Sequence, residues 1–243
     1  MAGTTRRTGF TDAALVRRLA PWVGAANAGT PTDFTGQLSS WLRWTDAQPL
    51  FAALQEPITV PPLADDEDAS VDSALADSHG VQQWLARTLV NYAPWREAPR
   101  PRSRSLSSGW VASAAAAPEP FAFDFPTYRR HYVAQQQAME DRIAPLRARL
   151  RRVLALQSPA LARLAALDAV MERLLGEPER RHLASLPALL EKRFGQWRAE
   201  APPDDASQAW QPLFQQELEA TLQAELDLRW QPIAGLLAAL RPV

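Results

Sequence analysis

Residues 126–156 read PTYRRHYVAQQQAMEDRIAPLRARLRRVLAL, and this stretch decides the fold of the chain. Its apolar side chains recur at intervals of three and four residues, the spacing that places them on one face of a helix. At about 100° per residue they fall within an arc of roughly 80°, a narrow seam that is typical of helix-on-helix packing. The stretch therefore predicts a helical bundle or a coiled coil. The seam consists of Tyr128, Tyr132, Met139, Ile143, Leu146, Leu150 and Val153.

The other periodic segments of the chain also have the helical period, and none alternates as a strand does. Ser158 followed by Pro159 predicts a helix start, because serine caps a helix and proline is favoured in its first turn. We expect that helix to end at Gly176 and another to begin at Pro178. The last helix is predicted over residues 207–240 and is the expected partner of the seam. The fold class is therefore predicted to be all-α.

Composition suggests two helical units. Residues 1–93 form an amino-terminal helical unit that contains an acidic loop near 57–72. Residues 94–120 are rich in Pro, Arg, Ser and Ala and bury too little apolar surface to offset the entropy of ordering, so we expect a flexible, disordered linker. Residues 121–243 form a carboxy-terminal helical bundle with long, coiled-coil-like helices.

Several classes of function are disfavoured by what the sequence lacks. There is no cysteine, which excludes disulfides, thiolate metal sites and a cysteine nucleophile. His79, His131 and His182 are not paired at helical spacing, and no phosphate-binding loop or nucleophile elbow occurs. No apolar run reaches the roughly 18 residues of a spanning helix. We therefore expect a cytoplasmic protein that does not insert into the membrane, is not an enzyme and has no catalytic residues, cofactor or metal.

A local basic surface is the strongest functional candidate, because the formal net charge of −1 provides no long-range attraction to polyanions. On a helical wheel, arginines of residues 126–156 project away from the seam, where they can meet phosphates or an acidic protein surface. Plain solvation of these arginines is the third alternative. The candidate partner or nucleic-acid surface consists of Arg129, Arg130, Arg147, Arg151 and Arg152.

Two further groups of residues have open roles. Arg142 and Arg149 flank the seam and are expected to pair with carboxylates of the last helix, as charges at the edges of a coiled coil do. These carboxylates are Glu217, Glu219, Glu225 and Asp227. Trp95 and Trp110, in the predicted linker, are candidate anchors for a partner protein.

Several short blocks together resemble a proteobacterial domain-of-unknown-function family. Its members occur beside stator-like proton-channel and peptidoglycan-binding proteins, and type III Zorya anti-phage systems include one. The blocks cover both helical units and none is a catalytic signature. They are RRTGF at 6–10, WLxWTDA at 41–47, YRRxY at 128–132 with Gln136 and Met139, PLR at 145–147, LD at 167–168 and LDLRxQP at 226–232.

The resemblance implies an accessory component of anti-phage defence that works with an ion-driven membrane motor complex. Its expected partners are the neighbouring defence-system proteins, including the stator-like membrane complex, and a homo-oligomer is also considered. A non-enzymatic adaptor or effector that acts by protein-protein interaction is the preferred interpretation. A DNA-binding effector that uses the basic ridge of helix 127–156 is the alternative, and a metal-dependent nuclease is the second alternative.

Overall fold

The computed structural model describes residues 14–23, 44–55, 70–91, 124–202 and 209–241. These parts of the chain contain seven helices and no strand, so the predicted all-α fold is confirmed. Within the same ranges no helix is both long enough and apolar enough to cross a bilayer. The helices are α1 (Ala14–Val23), α2 (Trp44–Gln55), α3 (Val71–Asn91), α4 (Phe125–Gln157), α5 (Pro159–Leu183), α6 (Leu186–Glu200) and α7 (Trp210–Leu240).

The central helix is α4, which contains the quoted stretch. Its first turn is capped by Asp124, whose Oδ1 accepts a hydrogen bond of 3.0 Å from the backbone N–H of Thr127. Its last turn is followed by Ser158 alone, whose Oγ accepts from the N–H of Leu161 at 3.2 Å and so starts α5. The predicted cap at Ser158 and Pro159 is therefore confirmed, and α4 and α5 form a tight antiparallel hairpin.

The helix α5 is longer than predicted. It continues past Gly176 and through Pro178 to Leu183, so the predicted helix start at Pro178 is wrong. Proline removes one backbone donor and costs about 3 kcal/mol inside a helix, but packing along a neighbouring helix can offset that cost. Here α5 packs along α4, and Leu183 at its end is buried. The turn falls instead at Ala184 and Ser185, where the Ser185 hydroxyl donates to the carbonyl of His182 at 2.6 Å.

The core surrounds α4. Every predicted seam residue is buried, from Tyr128 at 0% exposure to Ile143 at 9%. The helix contacts α3, α5, α6 and α7, so the predicted pairing of the seam with the last helix is confirmed, as one of several contacts. Leu218, Leu222 and Ile233 of α7 supply the facing apolar side chains.

The described amino-terminal helices pack on the carboxy-terminal ones. Helix α1 lies against α7, α2 against α5, and α3 against both α4 and α7. Leu15 of α1 and Leu85 of α3 belong to the same hydrophobic core as the α4 seam. Residues 94–120 lie outside the described parts of the chain, so the division into two units with a disordered linker stays a prediction.

The acidic loop predicted near 57–72 also lies mostly outside the described residues. Its last positions belong to the start of α3, where Ser70 Oγ accepts from the N–H of Ser73 at 3.1 Å.

Candidate functional site: a buried polar network and an exposed groove on α4

A buried carboxylate lies at the centre of the bundle. Glu225 of α7 has no exposed surface, although most buried positions of this fold are apolar. Its Oε2 accepts from the hydroxyl of Tyr132 at 2.8 Å, and Gln136 Nε2 lies 3.0 and 3.1 Å from its two oxygens. Arg229, one turn later on α7, donates from Nε to Oε1 at 2.9 Å. A buried charge is tolerated when it is paired and fully hydrogen-bonded, and Glu225 meets both conditions.

Gln136 connects this network to a third helix. Besides Glu225, its Nε2 donates to the carbonyl of Leu183 at 2.9 Å, at the end of α5. The pKa of Tyr132 is raised well above its ordinary value, first by burial and then by the negative charge of Glu225. The tyrosine therefore stays protonated and acts as a donor. Helices α4, α5 and α7 thus meet at one satisfied cluster of polar groups.

A second polar cluster joins α4 to α5. Arg147 binds Asp168 through two bonds, Nε to Oδ2 at 2.9 Å and Nη2 to Oδ1 at 2.7 Å. Arg151 donates from Nη1 to Asp168 at 3.1 Å and to Glu172 at 2.6 Å. The side chains of Arg147, Arg151 and Asp168 are only 13%, 17% and 14% exposed. This paired geometry is the strong form of the arginine-carboxylate interaction.

Glu179 of α5 interacts electrostatically with one arginine of each cluster, Arg229 and Arg147. Burial raises the pKa of Glu179, while the positive charges of Arg229 and Arg147 lower it to a smaller extent. Burial on its own lowers the pKa of Arg147, but the hydrogen bonds and the charge of Asp168 outweigh it, so the pKa rises. The arginine therefore remains charged in the interface.

The structure separates the five predicted surface arginines. Arg147 and Arg151 lie in the α4–α5 interface instead of on an outer face, because the long helix is covered by neighbours on several sides. Arg152 is half-buried. Arg129 and Arg130, near the start of α4, are exposed. Whether any of them binds a partner or nucleic acid stays a prediction.

The arginines that flank the seam contact α3, so their predicted pairing with the last helix is wrong. The guanidinium of Arg142 lies 4.4 Å from the ring centroid of Trp84, a cation–π contact. Arg149 forms an ion pair with Asp77 and donates to Ser73 Oγ at 2.9 Å. The reason is that α3 covers the part of α4 that these arginines face. Trp84 is 38% exposed beneath this arginine.

The carboxylates predicted as their partners have other contacts. Glu217 accepts from Trp197 Nε1 at 2.6 Å and from Arg193 Nε at 3.1 Å, which ties α7 to α6. Asp227 is exposed and accepts from Gln223 Nε2 at 3.0 Å. The carboxylates of α7 thus contact α6, belong to the buried network of Glu225, or face solvent.

An open groove of about 660 Å³ lies beside the exposed arginines. Seven of its residues come from the start of α4 and one from α6, and Val133 in it is 46% exposed. Arg130 is held by its Nη2, which donates to Thr127 Oγ1 at 3.0 Å. The groove is lined by Phe125, Pro126, Arg129, Arg130, Val133, Ala134, Gln137 and Glu191.

An aromatic cluster supports one wall of this groove. Phe194 of α6 packs its ring against Phe125 and Tyr128 of α4, with centroid distances of 5.7 and 5.9 Å. Phe214 of α7 makes edge-to-face contacts with Tyr128 at 5.2 Å and with Phe194 at 5.1 Å. Aromatic pairs of this geometry each add about 0.5–1.5 kcal/mol beyond their buried area. The groove is therefore backed, behind Phe125, by aromatic contacts among three helices.

The other candidates from the sequence are placed as follows. His131 is half-buried, and burial lowers its pKa to about 4, with Glu219 raising it less. Within the described ranges, no three His, Asp or Glu side chains gather as metal ligands would. Trp95 and Trp110 lie outside the described residues.

The central position of Glu225 was not predicted from the sequence, which indicated this residue only as one of four possible arginine partners on the last helix. The signal was present, since Glu225 follows Leu218 and Leu222 at the spacing of one helical face, so a carboxylate stands in an apolar stripe. The second signal was Arg229, four residues later, in the orientation that favours a pair on one helix. Asp168 gave a weaker signal, as the first of four acidic residues in a leucine- and alanine-rich helix.

Comparison with known proteins gives one finding on identity. No curated protein and no solved structure is detectably similar to the chain. A family model described as "Protein of unknown function (DUF3348)" matches residues 1–242. Because that match covers nearly the whole sequence, the chain belongs to the DUF3348 family of proteins of unknown function.

Proposed function

We propose that this protein is a cytoplasmic, non-enzymatic accessory of a Zorya-type anti-phage defence system. It acts as an adaptor or effector that binds neighbouring proteins of the system, which include an ion-driven, stator-like membrane complex. The proposal is supported by the short blocks of resemblance, which include Tyr132, Gln136, Arg147, Asp168 and Arg229. All five residues take part in the two interior polar clusters, although Glu225 at the centre of the first lies outside the blocks. They maintain the scaffold, which leaves the recognition of partners to the surface.

One observation favours protein binding over DNA binding. Arg147 and Arg151, two of the five arginines of the predicted partner or nucleic-acid surface, form ion pairs with Asp168 and Glu172 inside the bundle. Ion-paired, largely buried guanidinium groups are poor ligands for phosphate, because binding it would require breaking strong existing bonds. The exposed arginines that remain lie beside an apolar groove, and apolar surface contributes to protein recognition more than to phosphate recognition.

The proposal is tested by recovering the protein's partners from cells. The tagged full chain, expressed with its neighbouring genes, is purified before and during phage infection, and the tag alone serves as control. We expect products of the neighbouring genes to co-purify in stoichiometric amounts. Recovery of none of them, under gentle detergent extraction, would contradict the adaptor function.

The DNA-binding alternative has its own measurement. The affinity of the purified chain for a DNA duplex is measured at several salt concentrations, because each neutralised phosphate adds about −0.9 to the slope of log K against log salt. The two exposed arginines of the predicted surface, Arg129 and Arg130, would give a slope of about −1.8 by the same relation. We expect no resolvable duplex binding at physiological salt. A steep slope together with tight binding would support the DNA effector instead.

An enzymatic activity is tested separately. Nuclease and nucleotide-hydrolysis assays are run with added magnesium and with manganese, using the full chain and its purified partners. We expect no turnover. Activity that scales with protein concentration and disappears with chelator would overturn the non-enzymatic assignment.

A further inference from the structure

The groove on α4 has the form of a docking surface for another helix. Its α4 residues fall at positions 125, 126, 129, 130, 133, 134 and 137, the three- and four-residue spacing of one helical face. Pro126, Val133 and Ala134 form an apolar strip on that face, and all three are exposed. A helix binds such a strip by laying apolar residues along it at matching spacing. The groove volume of about 660 Å³ accommodates several side chains of such a helix.

The charges of the groove restrict what can bind there. Arg129 and Arg130 are adjacent residues of its lining, and both are exposed. Glu191, from α6, lies in the same lining. A ligand with a few carboxylates placed opposite the arginines gains attraction, whereas a continuous row of phosphates would also meet Glu191 and be repelled. The charge pattern therefore fits an acidic protein segment better than nucleic acid.

We propose that this groove binds an amphipathic helix of a partner protein, with apolar residues on Pro126, Val133 and Ala134 and carboxylates facing Arg129 and Arg130. This inference rests on the proposed function, since it names the surface and the chemistry by which the adaptor recognises a partner. The aromatic contact behind Phe125 holds the groove wall in place before binding. Such preorganisation lowers the entropic cost of association.

The test uses a synthetic probe and the purified full chain. The probe is a fluorescent helical peptide of about five turns, with leucines along one face and glutamates beside them. A second peptide has lysine in place of every glutamate, and a third has the first composition in scrambled order. Binding is followed by fluorescence anisotropy, with a short DNA duplex as competitor.

The variants isolate the two arginines. R129E/R130E reverses the groove charges, and R163E/R173E makes the same change in net charge at exposed positions of α5. We expect the acidic peptide to bind the native chain and the R163E/R173E control with affinities within about twofold. R129E/R130E should bind at least about tenfold more weakly, equal to about 1.4 kcal/mol, because two attractions become repulsions. V133D should weaken binding similarly by placing a carboxylate on the apolar strip.

Several results would show that the groove does not bind an acidic amphipathic helix. Failure of the acidic peptide to bind, equal binding of its lysine or scrambled versions, or unchanged binding by R129E/R130E would overturn it. Displacement of the peptide by the duplex at equal concentration would assign the groove to nucleic acid. Circular dichroism checks folding, and R129Q/R130Q replaces the reversal if that variant unfolds. Co-purification of neighbouring proteins that survives R129E/R130E would leave the adaptor function standing and refute the groove alone.

Discussion

Removal of the Glu225 carboxylate is expected to be among the most destabilising single changes in this bundle. The side chain has no exposed surface and accepts from Tyr132, Gln136 and Arg229. Arg229 is itself only 12% exposed, so Glu225→Ala would leave a guanidinium in the interior without the carboxylate to which it is bonded. Removing one partner of a buried ion pair costs about 3–5 kcal/mol, and we expect a loss within that range.

Milder substitutions divide this loss into parts. Glu225→Gln keeps the size and one acceptor oxygen but places an NH2 group among donors, so we expect a loss of about 2–3 kcal/mol. Tyr132→Phe removes one hydrogen bond to a charged group, which is worth about 1.5–3 kcal/mol. Because both changes act on the same bond, their effects should not add, and the double variant should show a coupling of about 1 kcal/mol.

The free energy of unfolding is measured by urea denaturation, with circular dichroism as the signal. The midpoint should fall while the slope stays constant, which marks a change in stability and not in the denatured state. Asp227→Ala is the matched control, since this carboxylate lies two residues later on α7 and is exposed. The control should change stability by less than about 0.5 kcal/mol. A loss for Glu225→Ala below about 1 kcal/mol would refute the view that this residue holds the three helices together.

Three further changes test other parts of the structure. Asp168→Asn weakens the ion pairs with Arg147 and Arg151 in the α4–α5 interface. It should lower the free energy of unfolding, measured by urea denaturation, by about 2–3 kcal/mol, whereas Glu177→Gln at an exposed position should lower it by less than about 0.5 kcal/mol. Burial lowers the pKa of His131 to about 4, so between pH 6.5 and 4 the unfolded chain binds the proton more readily than the folded one. The free energy of unfolding should therefore fall as the pH drops through that window. His131→Gln should reduce the slope of the free energy of unfolding against pH. An NMR titration midpoint of 6.5 for this ring would contradict the assignment. Leu150 lies in the seam at 0% exposure, so Leu150→Ala should lower the free energy of unfolding by about 2–5 kcal/mol in thermal or urea denaturation. Leu156 is 42% exposed, and an equal loss for Leu156→Ala would contradict the assignment of the seam to the core.

Periodicity predicted the backbone of this fold well. The seam of α4 and the cap at Ser158 depend on local spacing and local hydrogen bonds, which are written directly in the sequence. The helix end near Pro178 was wrong because proline is a local signal, and packing against α4 overrode it. The end of α5 at Leu183 depends on a tertiary contact that no window of the sequence contains.

The partners of the arginines were the least predictable feature. A helical wheel gives the direction of a side chain but not which neighbour covers that direction. By its spacing alone, Arg149 could reach either α7 or α3. The packing of the helices places it beside Asp77 of α3, with which it forms an ion pair. For the same reason the sequence predicts Arg147 and Arg151 on an outer face, because a helical wheel does not show that α5 covers that side of α4.

The interior clusters bear on function through the register of α4. A seam made mainly of Leu, Ile and Val can slide by one turn against a similar surface at little cost, because apolar contacts are not directional. The bonds from Tyr132 and Gln136 to Glu225 are satisfied in one register only, and a slip of one turn would leave a buried carboxylate without its donors. Fixing that register also fixes which residues of α4 remain outside, and therefore where Arg129 and Val133 stand. The residues that stabilise the fold thus determine the geometry of the groove, so loss of Glu225 should weaken peptide binding even in molecules that remain folded.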